Sequence, residues 1–404
     1  MKIGMVLEAE FPPDIRVEKE ASALIGAGIS VCVLSHKKYL KKEFEEITRG
    51  GIRVRKVDFR GRNYLARKAG SLTFFLTFRK PALIGILEKF IDDFKIDVLH
   101  IHDLPMVLSG ITVSRKKGIP VVADLHENYP YALHLWKNRL NWIKHPMVAL
   151  RDRKERWLVY EGTVCNAADA VIATNQEMKE RLVQEHGINP GKISVVGNVY
   201  GFEFGEDTGD SRVNFPSESF FVLYTGVMHY YKVRTAVESL SYLKQYQKII
   251  LMLVGRGNKE SERILKNLVV KHNLQDNIVF VPWQPLERLG SYIKMSSVCL
   301  VPLEGSVQSN ACSPHKLFQY MAMGKPVLAS DTPSLQRIIA DTKCGLVFRA
   351  GDAKDLAEKI KLLYEKPDLR EELGANGKEA VLTRYNFREE GKKLVNLYER
   401  LLSG

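Results

Sequence analysis

The chain has 404 residues, 45% hydrophobic and 26% charged, which excludes a disordered or collagen-like protein and exceeds what one ordinary core fills. Its formal net charge of +13 implies an anionic partner, with nucleic acid, anionic lipid and a phosphorylated small molecule all open on charge alone. The five cysteines (Cys32, Cys165, Cys299, Cys312, Cys344) are scattered without metal-ligand spacing, which excludes a disulfide framework and fits a reducing compartment.

The opening "KIGMVLE" reads as a strand that follows Met1 directly, with no cleavable leader, and no apolar run reaches the roughly 18 residues that span a bilayer. The expectation is a cytoplasmic protein, or one lying on the inner face of the cell membrane. "DIRVEKEASALIGAG" is amphipathic with a glycine-containing stop, and "ISVCVLS" is rich in β-branched residues, completing a β–α–β unit. "DVLHIHD", "PVVADLHE", "DAVIATN" and "KISVVGN" continue a set of buried parallel strands, separated by helical segments. Residues 1–197 are therefore read as one doubly wound α/β domain.

Residues 198–218 lose periodicity and fill with Gly, Asp, Ser and Glu, the signature of a linker. A second α/β domain is expected over 219–384, with strands "FFVLYTG", "IILMLVG", "NIVFVP", "VCLVPL", "KPVLAS" and "GLVF". Residues 385–404 include an amphipathic helix expected to pack back on the first domain. Sheets of this kind bind ligands at the carboxyl ends of their strands, so two facing halves would enclose a cleft.

Candidate site residues sit at those strand ends. In "SNACSPHKLFQYMAMGKPVLAS", Ser313 is expected to cap a helix that has Pro314 in its first position and Gly324 at its stop. That places His315 and Lys316 in the first turn, where the helix dipole disfavours cations unless an anion compensates. "YTGVMHYYKVR" repeats the logic: Gly226 turns the chain after a strand, and Lys232 and Arg234 open the next helix. In the first domain, His102–Asp103 and His126–Glu127 end neighbouring strands. They suit hydrogen bonding to a polyhydroxylated substrate, and their spacing gives little support for a metal. Gly255 and Gly257 form only a weak dinucleotide signal.

With these residues assembled, the chain resembles the family 4 glycosyltransferases over nearly its full length. "FPPDIRVEKEASALIGAGISVCVL", "DVLHIHDLP", "ADLHENY", "AADAVIATN", "LMLVGRGN" and "SPHKLFQYMAMGKPVLASD" carry the resemblance, the last being the most specific. The resemblance implies the GT-B fold, two facing Rossmann-like domains with an interdomain cleft. It also implies retaining transfer from a nucleotide-diphosphate sugar to a glycan or lipid-linked acceptor, with no metal or other cofactor. By position Lys232 meets the donor diphosphate, with Gly226 in the loop and Arg234 substituting for the family arginine, whose place is taken by Val227. Lys316 and the backbone amides of Cys312 and Ser313 join that grip. His126 matches the histidine at the reacting sugar, positioning it while the leaving phosphate helps remove the acceptor proton.

Two departures from the family pattern stand out. Many relatives carry paired glutamates where this chain has Ala311 and Gln319; here Gln319 would accept from the ribose through its amide, and Ala311 and His315 would border the donor sugar. Pro12, Pro13 and Asp14 replace a glycine pair in the first loop, leaving Asp14, His102, Asp103 and Glu127 as acceptor-side candidates. A catalytically silent nucleotide-sugar-binding subunit and a nucleotide-sugar epimerase remain as other readings. A nucleic-acid binder has only the charge behind it, and no nucleic-acid motif is present. "FRGRNYLARKAGSLTFFLTFRK" and "LWKNRLNWIKHPMVALRDRKERW" mix basic and aromatic residues, as either an anionic-membrane dock or outer helices with inward aromatics would.

Overall fold

The computed structural model describes residues 1–48, 50–60, 64–137, 150–201 and 219–403, the side chains of residues 134–137, 231 and 232 excepted. Most of the expected linker (202–218) and the centre of the second basic, aromatic stretch (138–149) lie outside them. The chain divides into two compact units: Met1–Asn198 with Phe387–Gly404, and Val199–Asn386.

The first unit is built on β1 (Lys2–Leu7), β2 (Ser30–His36), β3 (Phe44–Ile47), β4 (Arg53–Val57), β5 (Val98–His102), β6 (Val121–Leu125), β7 (Ala170–Ala173) and β8 (Ile193–Val195). They form one sheet in the order β3-β4-β2-β1-β5-β6-β7-β8. Every pairing is parallel except that of β3 with β4. β5 and β6 are buried along their whole length, as strands covered on both faces require. The helices are α1 (Ile15–Gly26), α2 (Tyr64–Thr77), α3 (Pro81–Phe94), α4 (Val107–Lys117), α5 (Tyr129–Lys137), α6 (Lys154–Ala167) and α7 (Gln176–His186). The Asp14 carboxylate caps α1 by accepting from the Arg16 and Val17 amides, and Val17, Ala21 and Leu24 turn the apolar face inward. The C-terminal helix Phe387–Ser403 packs along α1 in the same unit.

The second unit has a six-stranded, all-parallel sheet of β9 (Phe220–Val227), β10 (Ile249–Arg256), β11 (Ile278–Val281), β12 (Val298–Val301), β13 (Val327–Ser330) and β14 (Gly345–Phe348). Its order is β11-β10-β9-β12-β13-β14. The helices are α8 (Tyr230–Ser239), α9 (Lys259–Lys271), α10 (Leu286–Met295), α11 (Val307–Asn310), α12 (His315–Ala322), α13 (Pro333–Thr342), α14 (Ala353–Glu365) and α15 (Pro367–Thr383). Val222, Leu251, Leu253, Leu300, Leu328 and Phe348 are among the residues that fill its core. Among the parallel strands of each sheet the order reverses once, between β1 and β5 and between β9 and β12. Loops diverge at such a switch point and leave a crevice at the strands' carboxyl ends.

α9 begins where the Asn258 side chain accepts from the Ser261 amide at 2.7 Å. Replacing Asn258 by Ala leaves that amide without its cap and should cost about 1 kcal/mol, whereas Gly should cost only a few tenths. Chemical denaturation of the three proteins checks the ranking.

Candidate functional site

In the second unit the switch point joins the loop after β9 to the first turn of α12. Gly226 has φ 118°, and a Cβ there would lie 3.0 Å from Lys316 Nζ. Gly255, paired beside it with φ 150°, would place a Cβ 1.9 Å from the Gly226 carbonyl oxygen, so only glycine fits. Lys316 donates to the Thr225 carbonyl, and its Nζ lies 4.0 Å from the centroid of the Tyr224 ring. Tyr320 locks α12 onto the same strand end, its hydroxyl accepting from the Thr225 amide at 3.0 Å. The helix thus brings its positive end and a lysine to one glycine turn, an arrangement suited to an anion.

The other expected donor-side residues are placed as follows. Lys232 belongs to the first turn of α8, immediately after the glycine turn, but its side chain lies outside those described. Arg234 is half exposed and bonds Glu238 at 2.8 Å on the same helix. Gln319 and Ala311 are buried, while Cys312, Ser313 and His315 are half-buried around the start of α12. Ser313 is not the cap: the helix starts at His315, Pro314 takes the capping position, and no side chain caps it. The preceding Val307–Asn310 is a helical turn capped by Ser306, because that serine accepts from the Ser309 amide before the chain can run as a loop.

In the first unit the site lies at the carboxyl ends of β5 and β6. His126 is 19% exposed, its Nε2 3.1 Å from Asp124 Oδ2 and 3.0 Å from His102 Nδ1. Asp103 sits on its outer side, Oδ1 3.7 Å from His126 Nδ1, in a left-handed conformation with φ 68°. A bond from its amide to the Asp124 carbonyl at 2.9 Å helps hold that uncommon backbone. Burial acts to lower the His126 pKa, yet Asp103 and Asp124 together push it up to about 9. His102 has no exposed surface and reaches a ligand only through His126. Asp14 caps α1, and Glu127 is half-buried beside His126.

Beneath His126 lies a buried set that the sequence reading passed over: Arg16, Glu20, His100 and Asp124. Arg16 Nη2 bonds Asp124 Oδ1 at 2.9 Å and Arg16 Nε lies 3.0 Å from Glu20 Oε1. Glu20, His100, His102 and Asp124 bring ligand-type atoms within 4.8 Å of one another. The Arg16 guanidinium already contacts both carboxylates and would repel a metal ion, so the set is an ion-pair network. Its signal in the sequence was a charged residue inside an otherwise apolar strand run, "PVVADLHE".

A cleft of about 360 Å³ opens at the same sheet edge, bordered by Glu8 beyond β1, Pro105 beyond β5 and Tyr129 beyond β6. Arg60, Arg67, Lys80 and Arg151 line it with Trp157. Each cation has an acidic neighbour, Asp58 for Arg60 and Arg67, Glu8 for Lys80 and Asp152 for Arg151. Trp283, 61% exposed just past β11, is a further aromatic at the carboxyl edge of the second sheet.

A family model described as group 1 glycosyl transferases matches residues 207–380, and one described as glycosyltransferase family 4 matches residues 15–200. The chain is 25% identical over 335 residues to a D-inositol 3-phosphate glycosyltransferase of Acidothermus cellulolyticus, covering 76% of this chain and 68% of that one. It is 24% identical over 331 residues to a phosphatidyl-myo-inositol mannosyltransferase of Mycobacterium leprae, covering 79% and 77%. The structure of Anabaena HepE in complex with UDP superposes with a TM-score of 0.75 at 14% identity, covering 99% of this chain and 100% of that one.

Replacing Arg16 by Met removes the cation from two buried carboxylates. The expected loss is about 3–5 kcal/mol of stability, read by chemical denaturation.

Proposed function

The chain is a family 4-like glycosyltransferase of the GT-B fold, and we propose that it moves a sugar, with retention, from a nucleoside-diphosphate sugar to a phosphate-bearing acceptor of glycolipid assembly. The observation that carries this reading is Lys316 held against the Gly226 turn at the positive end of α12. A diphosphate there gains a cation and a helix dipole at once. Lys232 belongs to the adjoining helix start, and the exposed Trp283 ring offers a stacking face for the base. In this reading the diphosphate charge is met by protein cations and main-chain dipoles, without a metal. The HepE complex with UDP supports a uridine donor as the first to try.

The acceptor side rests on the basic cleft. Arg60, Arg67, Lys80 and Arg151 suit a phosphate, and the matched relatives include enzymes named for inositol 3-phosphate and phosphatidylinositol. In the transfer the acceptor oxygen bonds the anomeric carbon on the face the phosphate leaves. The departing phosphate oxygen takes the acceptor's proton while His126 positions the sugar.

The first basic, aromatic stretch turns some of its apolar side chains inward and others outward. Phe78 stacks on Tyr160 at 4.1 Å and packs edge-on against Trp157 at 4.8 Å, so that ring turns inward. Leu65, Leu72 and Leu76 of α2, at 75%, 53% and 66% exposure, turn outward, and Leu76 shares a shallow hollow with Arg153 and Arg156. No helix among the described residues is long and apolar enough to cross a membrane. α2 is read as a peripheral dock on anionic lipid, bringing a soluble donor to a lipid-held acceptor.

The function is tested by release of nucleoside diphosphate and formation of glycoside from a panel of nucleotide sugars with inositol phosphates as acceptors. Donor binding without turnover with any acceptor would instead mark a silent subunit. Lys316→Met should weaken UDP binding at least about tenfold by calorimetry, on the order of 1.4 kcal/mol. The parent should sediment with anionic vesicles at low salt and not with neutral ones, and Leu72→Gln with Leu76→Gln should reduce that binding. Equal recovery with both vesicle types would remove the electrostatic part.

A further inference from the structure

Asp124 is the hub of the buried network in the first unit. It has no exposed surface, and Arg16 holds both its oxygens, Nη2 to Oδ1 at 2.9 Å and Nε to Oδ2 at 3.3 Å. Oδ2 also lies 3.1 Å from His126 Nε2, 3.1 Å from His102 Nδ1 and 3.4 Å from His100 Nε2. We propose that Asp124 is the positioning residue of the transfer: anchored by Arg16, it accepts the Nε2–H of His126 and fixes that ring as a doubly protonated cation, which offers Nδ1–H to the reacting sugar and cannot act as a base. The proposal deepens the glycosyltransferase reading and rests on it.

The proton positions follow from the distances. His102 Nδ1 and His126 Nε2 are 3.0 Å apart, so one hydrogen lies between them. Burial, reinforced by the stacked His100 ring 4.2 Å away, holds His102 neutral and well below its usual range. Both ring nitrogens lie 3.1 Å from Asp124 Oδ2, and in the proposed arrangement the hydrogen on His126 Nε2 is directed at that oxygen. His102 Nε2 makes no hydrogen bond. On the far side His100 Nδ1 meets the Tyr398 hydroxyl of the C-terminal helix, while His100 Nε2 faces Asp124 and Glu20 Oε2 at 3.4 and 3.8 Å. With the hydrogen of His100 on the nitrogen that faces Asp124, the tyrosine hydroxyl donates to Nδ1. Tyr398 thus meets His100 on one side, and His100 Nε2 lies near Asp124 without a hydrogen bond on the other.

The charges agree with this arrangement. Arg16 and Glu20 on α1, His100, His102 and Asp103 at β5, Asp124 on β6, Glu127 just past it and Tyr398 on the C-terminal helix are among the ionisable groups around His126 and its anchor, with Glu8 and Asp14 nearer to Asp103. Burial pushes the Glu20 carboxyl up and favours its neutral form. Against burial, Arg16 and then His126 hold Asp124 well below the usual carboxylate range. Asp103 and Asp124 flank His126 on its two sides and favour its second proton, although burial also pushes the Asp103 carboxyl up.

The test is nitrogen NMR on the full chain labelled with ¹⁵N-histidine, the His126 signals being identified by their loss in His126→Gln. Both ring nitrogens of His126 should be protonated at pH 7.5, with a titration midpoint near 9 rather than 6.5. Asp124→Asn should lower that midpoint by at least about one pH unit, and the alkaline limb of kcat for UDP release from UDP-glucose should move with it. A merely structural role would depress kcat at every pH and leave the midpoint in place. A midpoint near 6.5 in the parent overturns the proposal, and this readout decides even where Asp124→Asn does not fold. Titration near 9 in a chain inactive with every donor would overturn the transfer reading instead.

Discussion

Burying a guanidinium is costly, and the first unit does so with Arg16, 6% exposed, against the fully buried Asp124 and Glu20. A well-packed apolar trio of the same volume would serve stability as well or better. What such a trio could not supply is a fixed negative charge directly under the carboxyl ends of β5 and β6. The position of that charge orients His126 from below, beside the His100 ring that meets Tyr398 of the C-terminal helix. The network is best understood as an expense of the site rather than a support of the core.

The two units solve the same geometric problem with different chemistry. Each has a parallel sheet whose strand order reverses once, and each places its distinctive side chains at the loops that part there. The second unit presents cation and dipole, Lys316 on the first turn of α12 above Gly226, and leaves the shape of the turn to glycines that tolerate no side chain. The first presents an imidazole backed by carboxylates, beside a cleft of arginines and lysine. An anion suits the former and a hydroxyl-rich partner with a phosphate suits the latter, so one fold plan yields two unlike surfaces from loop residues alone.

Much of this was legible in the chain. Buried parallel strands announce themselves as short apolar runs, and "DVLHIHD", "PVVADLHE" and "FFVLYTG" all proved to be strands. β3 and β4 escaped because they form the polar edge of the sheet: "FEEI" and "RVRKV" are charged residues paired across strands, Arg55 to Glu45 at 2.6 Å, with little apolar signal. His126 and Lys316 were visible because their position at strand and helix ends is local information. Arg16 and Asp124 were not, since they lie 108 residues apart and meaning arises only when α1 crosses the end of β6. Ser313 illustrates a smaller limit: helix boundaries depend on which amides find acceptors, and the helix starts one residue later than the sequence suggests.

The C-terminal helix has a temporal consequence. Leu394, Leu397 and Tyr398 are buried in the first unit, and Gly391 lies so near Ala23 that a Cβ there would sit 2.8 Å from the alanine methyl. During synthesis residues 1–198 emerge early, yet this half cannot finish assembling until the last segment has left the ribosome. In the interim the side of α1 that will meet the helix stays uncovered, while Val199–Asn386 can already mature. A chain cut before residue 387 would therefore keep every residue of the second unit and leave the first unfinished.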